Sequence, residues 1–138
     1  MKLLNSASFQ RLEAAVQAAE MRQRIISNNI ANVDTPHFKR SEVLFESMLE
    51  QSLGNSRKLQ FAGKRTDDRH IAFGSEVAKI PVAKVITDQS TSMGNNNNNV
   101  DVDSEMALLA KNQLNYSFYI QQLNHDMKMM NIAIEGRG

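Results

Sequence analysis

The sequence contains no cysteine and no tryptophan. Without cysteine there is no disulfide framework and no thiolate metal site, and the redox compartment stays open. Aromatic residues make up 6% of the chain, so eight methionines serve as the bulky gap-fillers. Neither sign of charge dominates. Sixteen Lys and Arg stand against fifteen Asp and Glu, and the net charge of +1 argues against a large footprint for nucleic acid or anionic membrane. No apolar run reaches the roughly 18 residues that suggest a membrane span. Met1-Lys2-Leu3-Leu4 gives way at once to Asn5-Ser6, so a cleavable secretory signal is not expected. Catalytic patterns are missing as well. His37, His70 and His125 lie in separate segments, and there is neither a glycine-rich phosphate loop nor a nucleophile elbow. Asp67-Asp68 and His70 share an irregular basic stretch with no rigid frame to hold them. No enzyme, cofactor, metal site, small-molecule substrate or nucleic-acid partner is expected.

What the 138 residues do contain is helical periodicity at both ends, within the size of one ordinary domain. From Phe9 the apolar positions recur in steps of three and four: Phe9, Leu12, Val16, Ala19, then Gln23, then Ile26, Ile30 and Val33. A second seam runs Val102, Met106, Leu109, Gln113, Tyr116, Ile120, Leu123, Met127, Met130 and Ile134. Asp101, Asp103 and Glu105 crowd its start, where negative charge suits the helix dipole, and Gly136 marks its end. These patterns predict a mainly α fold: long N- and C-terminal helices in an antiparallel coiled coil, with a small irregular, β-containing middle segment. The corresponding divisions are an N-terminal helix over 1–36, a middle segment over 37–99 and a C-terminal helix over 100–138.

Between the seams the chain changes character. Asn28, Asn29 and Asn32 crowd the end of the first helix, and Pro36 disfavours helical geometry at Thr35, so the helix stops by about Val33. Three amides in five residues exceed what ending a helix requires and suggest a polar recognition corner. Ser41-Glu42 with Val43, Leu44, Phe45, Met48, Leu49 and Leu53 reads as a second helix, stopped at Gly54-Asn55-Ser56. Residues 57–70 form a basic loop. Ile80, Val82, Lys84 and Ile86 alternate around Pro81 as a short edge strand, within the limits Glu76 to Thr87 and without an evident partner. Ser90 to Asn99, with five consecutive asparagines, reads as a mobile low-complexity hinge.

The stretch LEAAVQAAEMRQRIISNNIANVDTPHFK, Leu12 to Lys39, resembles the N-terminal signature of bacterial flagellar rod and hook proteins. Its motif residues fall on Asn28, Asn29, Asn32, Asp34, Thr35, Pro36 and Phe38, and NNVDVDSEM, Asn98 to Met106, is similar to the family's closing element. The family usually carries Gly after Thr-Pro, where this chain has His37. With no large domain inserted between the ends, the resemblance implies a proximal rod subunit of the flagellar basal body. It would assemble helically, link the membrane ring to the distal rod and hook, transmit torque and form part of the export channel. Implied partners are other rod proteins, membrane-ring and rod-adaptor proteins, the flagellar type III export gate and further copies of the chain. Export across the inner membrane would proceed without a cleaved signal. A soluble coiled-coil adaptor or export chaperone is the alternative; it accounts for the seams but leaves the asparagine-rich corner unexplained.

Two expectations follow from the seams. Leu108, Leu114, Phe118, Met129 and Ile132 lie off the C-terminal seam and form a candidate outer association face. A thin seam gives about 1.5–3 kcal/mol per buried large side chain against roughly 1.5 kcal/mol per ordered residue, so the isolated pair is marginal and neighbours would supply the rest. The second expectation is a register with flush termini. It pairs Phe9 with Met130, Leu12 with Met127, Val16 with Leu123, Ala19 with Ile120, Gln23 with Tyr116 and Ile26 with Gln113, so that the two glutamines share a polar layer.

Overall fold

The computed structural model describes residues 7–56, 80–93 and 96–136. The expected basic loop, Asp67-Asp68 and His70 lie outside the described residues. Helix α1 runs Ala7–Ala31, rich in alanine, glutamine and charged residues that favour helix. Helix α3 runs Val102–Glu135, which at 1.5 Å per residue makes a rod about 50 Å long. Its ends follow the sequence signals. The Asp101 carboxylate accepts from the N–H groups of Asp103 and Ser104 at 3.0 and 3.4 Å, and Gly136, left-handed at φ 65°, donates its N–H to the Ile132 carbonyl. The two helices pack against each other antiparallel. Asn112 reaches Ala19 and, further along α1, Asn29 reaches Glu105.

The middle segment departs from expectation. Ser41–Leu44 is not helical but strand β1, and helix α2 begins only at Glu46 and runs to Ser56, through Gly54-Asn55. Val43 and Phe45 are buried while Glu42 and Leu44 are half-exposed, so the local period is two. The N–H and C=O of Ser41 both bond the side chain of Asn29 and are unavailable to a helix. The strand near Pro81 is real but shorter: β2 covers Lys84–Thr87, after the proline. Its unlocated partner is β1, antiparallel with Ser41 opposite Thr87 and Leu44 opposite Lys84. Asn98 and Asn99 are not part of a mobile hinge, since both are buried and fully engaged in bonds described below.

The register is also corrected. Ala19 lies against Asn112 rather than Ile120, a slip of about one heptad. By the same register roughly three turns of α3 run past the described start of α1. The inner column of α3 is rotated one position from the expected seam: Glu105 and Asn112 are buried, whereas their neighbours Met106 and Gln113 are exposed. The expected layer shared by the two glutamines does not form. Gln23, Gln113 and Tyr116 instead border an open groove of about 610 Å³ between the helices. A carboxylate with bonded donors outweighs a glutamine pair, because removing its partners from a buried charge costs several kcal/mol, roughly 3–5.

His37 holds φ at 62° and donates its N–H to the Asn96 carbonyl at 2.9 Å. A left-handed conformation is therefore held here by a residue with a Cβ, at a backbone cost of about 1–2 kcal/mol. Part of that cost is returned because histidine restricts the unfolded chain more than glycine does. His37→Gly should raise the unfolding free energy by about 0.5–1 kcal/mol, and His37→Val should lower it. Urea unfolding of the three proteins checks the order.

Candidate functional site

The end of α1, strand β1 and the segment entering α3 meet in one polar corner. Its centre is Glu105, with no solvent exposure. One carboxylate oxygen accepts from the Asn29 amide at 3.1 Å, the other from Arg40 Nε at 2.6 Å. Arg40 also donates from Nη1 to Glu42 at 2.8 Å. Partial burial disfavours the Arg40 charge, but the hydrogen bonds and fields of Glu42 and Glu105 outweigh it and hold the pKa above the ordinary arginine value. Asn29 is 1% exposed, and its carboxamide is used at both ends. It donates to the Ser41 carbonyl at 2.8 Å and accepts from the Ser41 N–H at 3.1 Å, as a neighbouring strand would. That is why β1 begins where it does.

Asn98 and Asn99 close the corner from the far side. The Asn98 amide donates to the carbonyls of Asn32, Val33 and Thr35 at 2.8–2.9 Å, so two protons are shared among three acceptors in the turn that follows α1. Its oxygen accepts from Val100 N–H at 2.8 Å. Asn99 accepts from Arg40 N–H at 2.6 Å and donates to the Asp88 carbonyl and the Thr91 hydroxyl. Asp88 turns that loop by accepting from Ser90 and Thr91, and these donors pull its carboxyl well below the usual carboxylate range. The polar groups thus face one another and the chain's own backbone. The chemistry available here is the fixing of one segment to another.

The sequence-predicted residues divide between this corner and its surroundings. Asn29 is its buried member, whereas Asn28 is exposed and bonds locally to Asn32, whose oxygen also accepts from Thr35 at 3.3 Å. Asp34, Thr35 and Pro36 are exposed on the turn, and Phe38 is half-buried behind it. Of the expected seam, Ile26 is buried; Phe9, Leu12, Val16, Ile30, Leu109, Tyr116, Ile120, Leu123 and Met130 are half-buried; Met106 and Met127 are exposed. Of the outer face, Leu114, Phe118 and Met129 are exposed, while Leu108 and Ile132 are half-buried. Sequence reasoning missed Arg40, Glu105 and Asn112. The signal for the last two was their spacing of seven, a polar heptad column one position before the apolar one.

Burial makes Asn29 a contributor to the stability of the monomer itself. Asn29→Ala strips partners from the Ser41 backbone and from Glu105, and should cost about 2–3 kcal/mol. Asn32→Ala, which loses short-range bonds at a partly exposed site, should cost about 1 kcal/mol or less. Chemical denaturation of the monomers measures both, and equal losses would contradict the geometry.

Comparison with known proteins bears on this corner directly. The family model for flagella basal body rod protein matches residues 10–39, the α1 half of the corner. Flagellar basal body rod protein FlgB of Bacillus subtilis is 36% identical over 133 residues, covering 96% of this chain and 97% of that protein. FlgB of Borreliella burgdorferi is 39% identical over 117 residues, 83% of this chain and 86% of its own. FlgB of Aquifex aeolicus is more distant, at 26% over 116 residues. Likeness across nearly the full length thus takes in both sequence segments that the fold binds together, and the chain belongs to the flagellar basal body rod proteins, in the FlgB family.

Proposed function

We propose that the chain is a proximal rod subunit that stacks helically with its neighbours, joins the membrane ring to the distal rod and hook, carries torque and contributes to the export channel. As a member of a rod-protein family it is a structural component of the flagellar basal body and not an enzyme. On this reading it reaches the rod by flagellar type III export, and its contacts are with other rod proteins, with ring and adaptor proteins at the base, with the export gate and with further copies of itself.

The observation that carries the reading is the way α3 distributes its side chains. The residues it fully buries are Glu105 and Asn112, neither of them apolar. Leu114 and Phe118, by contrast, are 74% and 63% exposed, and Met106, Met127, Met129 and Ile134 are exposed with them. Buried apolar groups on α1 are small or few: Ala18, Ala19 and Ile26. Such a pair is held in register by polar bonds and keeps its apolar surface outside, as suits a subunit surrounded by others. The Asn-rich corner supports the same reading from within, by tying both ends of the chain at a fixed angle.

Leu114→Ser with Phe118→Ser should leave the monomer within about 0.5 kcal/mol of its parent, because both sites are solvent-exposed there. Incorporation into basal bodies, and swimming in soft agar by a strain carrying only this version, should both fail. Normal motility would remove the outer face from the assembly.

A further inference from the structure

Asn112 is 2% exposed and sits where α3 crosses α1. Its Nδ2 donates to the Ala19 carbonyl at 2.9 Å, which fixes the orientation of the amide, because a carbonyl only accepts. The opposite end, Oδ1, is buried without a partner, and among the described residues it is the side-chain atom in that state. An unpaired buried acceptor is disfavoured and calls for an explanation. Asn112 borders a cleft of about 260 Å³ whose walls also carry Arg22 of α1, Glu46 of α2, and Lys111 and Tyr119 of α3.

Arg22 stands in this cleft with donors to spare. Its Nη2 bonds both carboxylate oxygens of Glu46, at 2.7 and 2.5 Å, while a guanidinium has five N–H groups in a fixed fork. The Glu46 side chain is 60% exposed, so water screens the pair and it holds only weakly. Glu46 is also the first residue of α2, joined to β1 by Phe45 alone. The residues of α2 beyond Glu46 are exposed or half-exposed wherever their side chains are described. Beyond the buried Phe45, a weak, screened ion pair ties α2 to the helix pair, in a cleft that Asn112 also lines.

We propose that Arg22 is a two-position latch. With α2 docked, its guanidinium holds Glu46; when α2 leaves, the same guanidinium turns inward and donates to Asn112 Oδ1. The exchange trades an exposed ion pair for a hydrogen bond to a buried acceptor, and so lies close to balance. It couples the position of α2 to the packing of α1 on α3. A neighbour that draws α2 away then leaves a helix pair with its buried defect repaired.

Thermal midpoints of the full chain test the coupling. Asn112→Leu removes the orphaned oxygen and, with Glu46 present, should leave the midpoint unchanged or raise it. In a Glu46→Ala background the same substitution should lower the midpoint by about 2–4 °C, because it removes the acceptor Arg22 now uses. Loss of the Glu46 charge from the start of α2 is common to both proteins of the Glu46→Ala pair and cancels within it. Equal shifts in the two backgrounds would overturn the latch, as would persistence of the difference when Arg22 is replaced by Ala. Should Asn112→Leu fail to fold, NMR of Glu46→Ala reads the same event. The Arg22 side-chain N–H groups should exchange with water as slowly as they do in the parent, where Glu46 holds them, and clearly faster exchange would overturn the proposal.

Discussion

A carboxylate taken wholly out of water is tolerated only where donors converge on it, and Glu105 is met by Asn29 from α1 and by Arg40 from the turn before β1. Those donors lie on separate segments, so satisfying one charge fixes several relations at once. Bonding Asn29 to Glu105 sets how far α1 slides along α3. Placing Glu105 inward sets the rotation of α3, and with it Asn112 one heptad later. Holding Arg40 brings β1 to the helix pair, where the Asp88 N–H bonds the Arg40 carbonyl at 2.9 Å and continues the β1–β2 pairing.

This arrangement inverts the usual division of labour in a helix pair. Polar bonds at one end provide register and angle, while many apolar residues of α3 remain outside. Alanines at Ala18 and Ala19 let the helices approach closely, which limits how much large side chain the contact can bury. On the proposed reading stability comes in two instalments, one from the corner within the subunit and one from neighbours around it. A rod needs both, since subunits must keep a defined angle before they stack and must hold firmly afterwards.

Much of the architecture was legible in the sequence because its signals are local. Pro36, Asp101 and Gly136 mark helix ends through their own backbone chemistry, and the recurrence of apolar residues marks the helices between. The misreadings share a physical cause in distance along the chain. Ser41 to Leu44 is too short for its period to decide, and what makes it a strand is Asn29 on one side and β2 on the other. Asn98 and Asn99 look like low complexity until their amides are seen against the carbonyls they fit, with Asn97 at φ 57° turning the chain beside them. The rotation of α3 turned on one charge, because Met106 and Glu105 are adjacent and hydrophobic pattern alone favours the methionine.

The corner joins residues far apart in sequence: Arg40 to Asn99 spans 59 positions and Asn29 to Glu105 spans 76. Its closing loop is therefore already long, and the entropy of closing a flexible loop grows only with the logarithm of its length. Doubling that loop would add about 0.6 kcal/mol. Chain inserted between α2 and β2 would meet little thermodynamic resistance, provided that Asn29, Arg40, Asn98, Asn99 and Glu105 still come together. The two terminal segments thus act as a clasp, and the length of what it encloses is nearly free to vary.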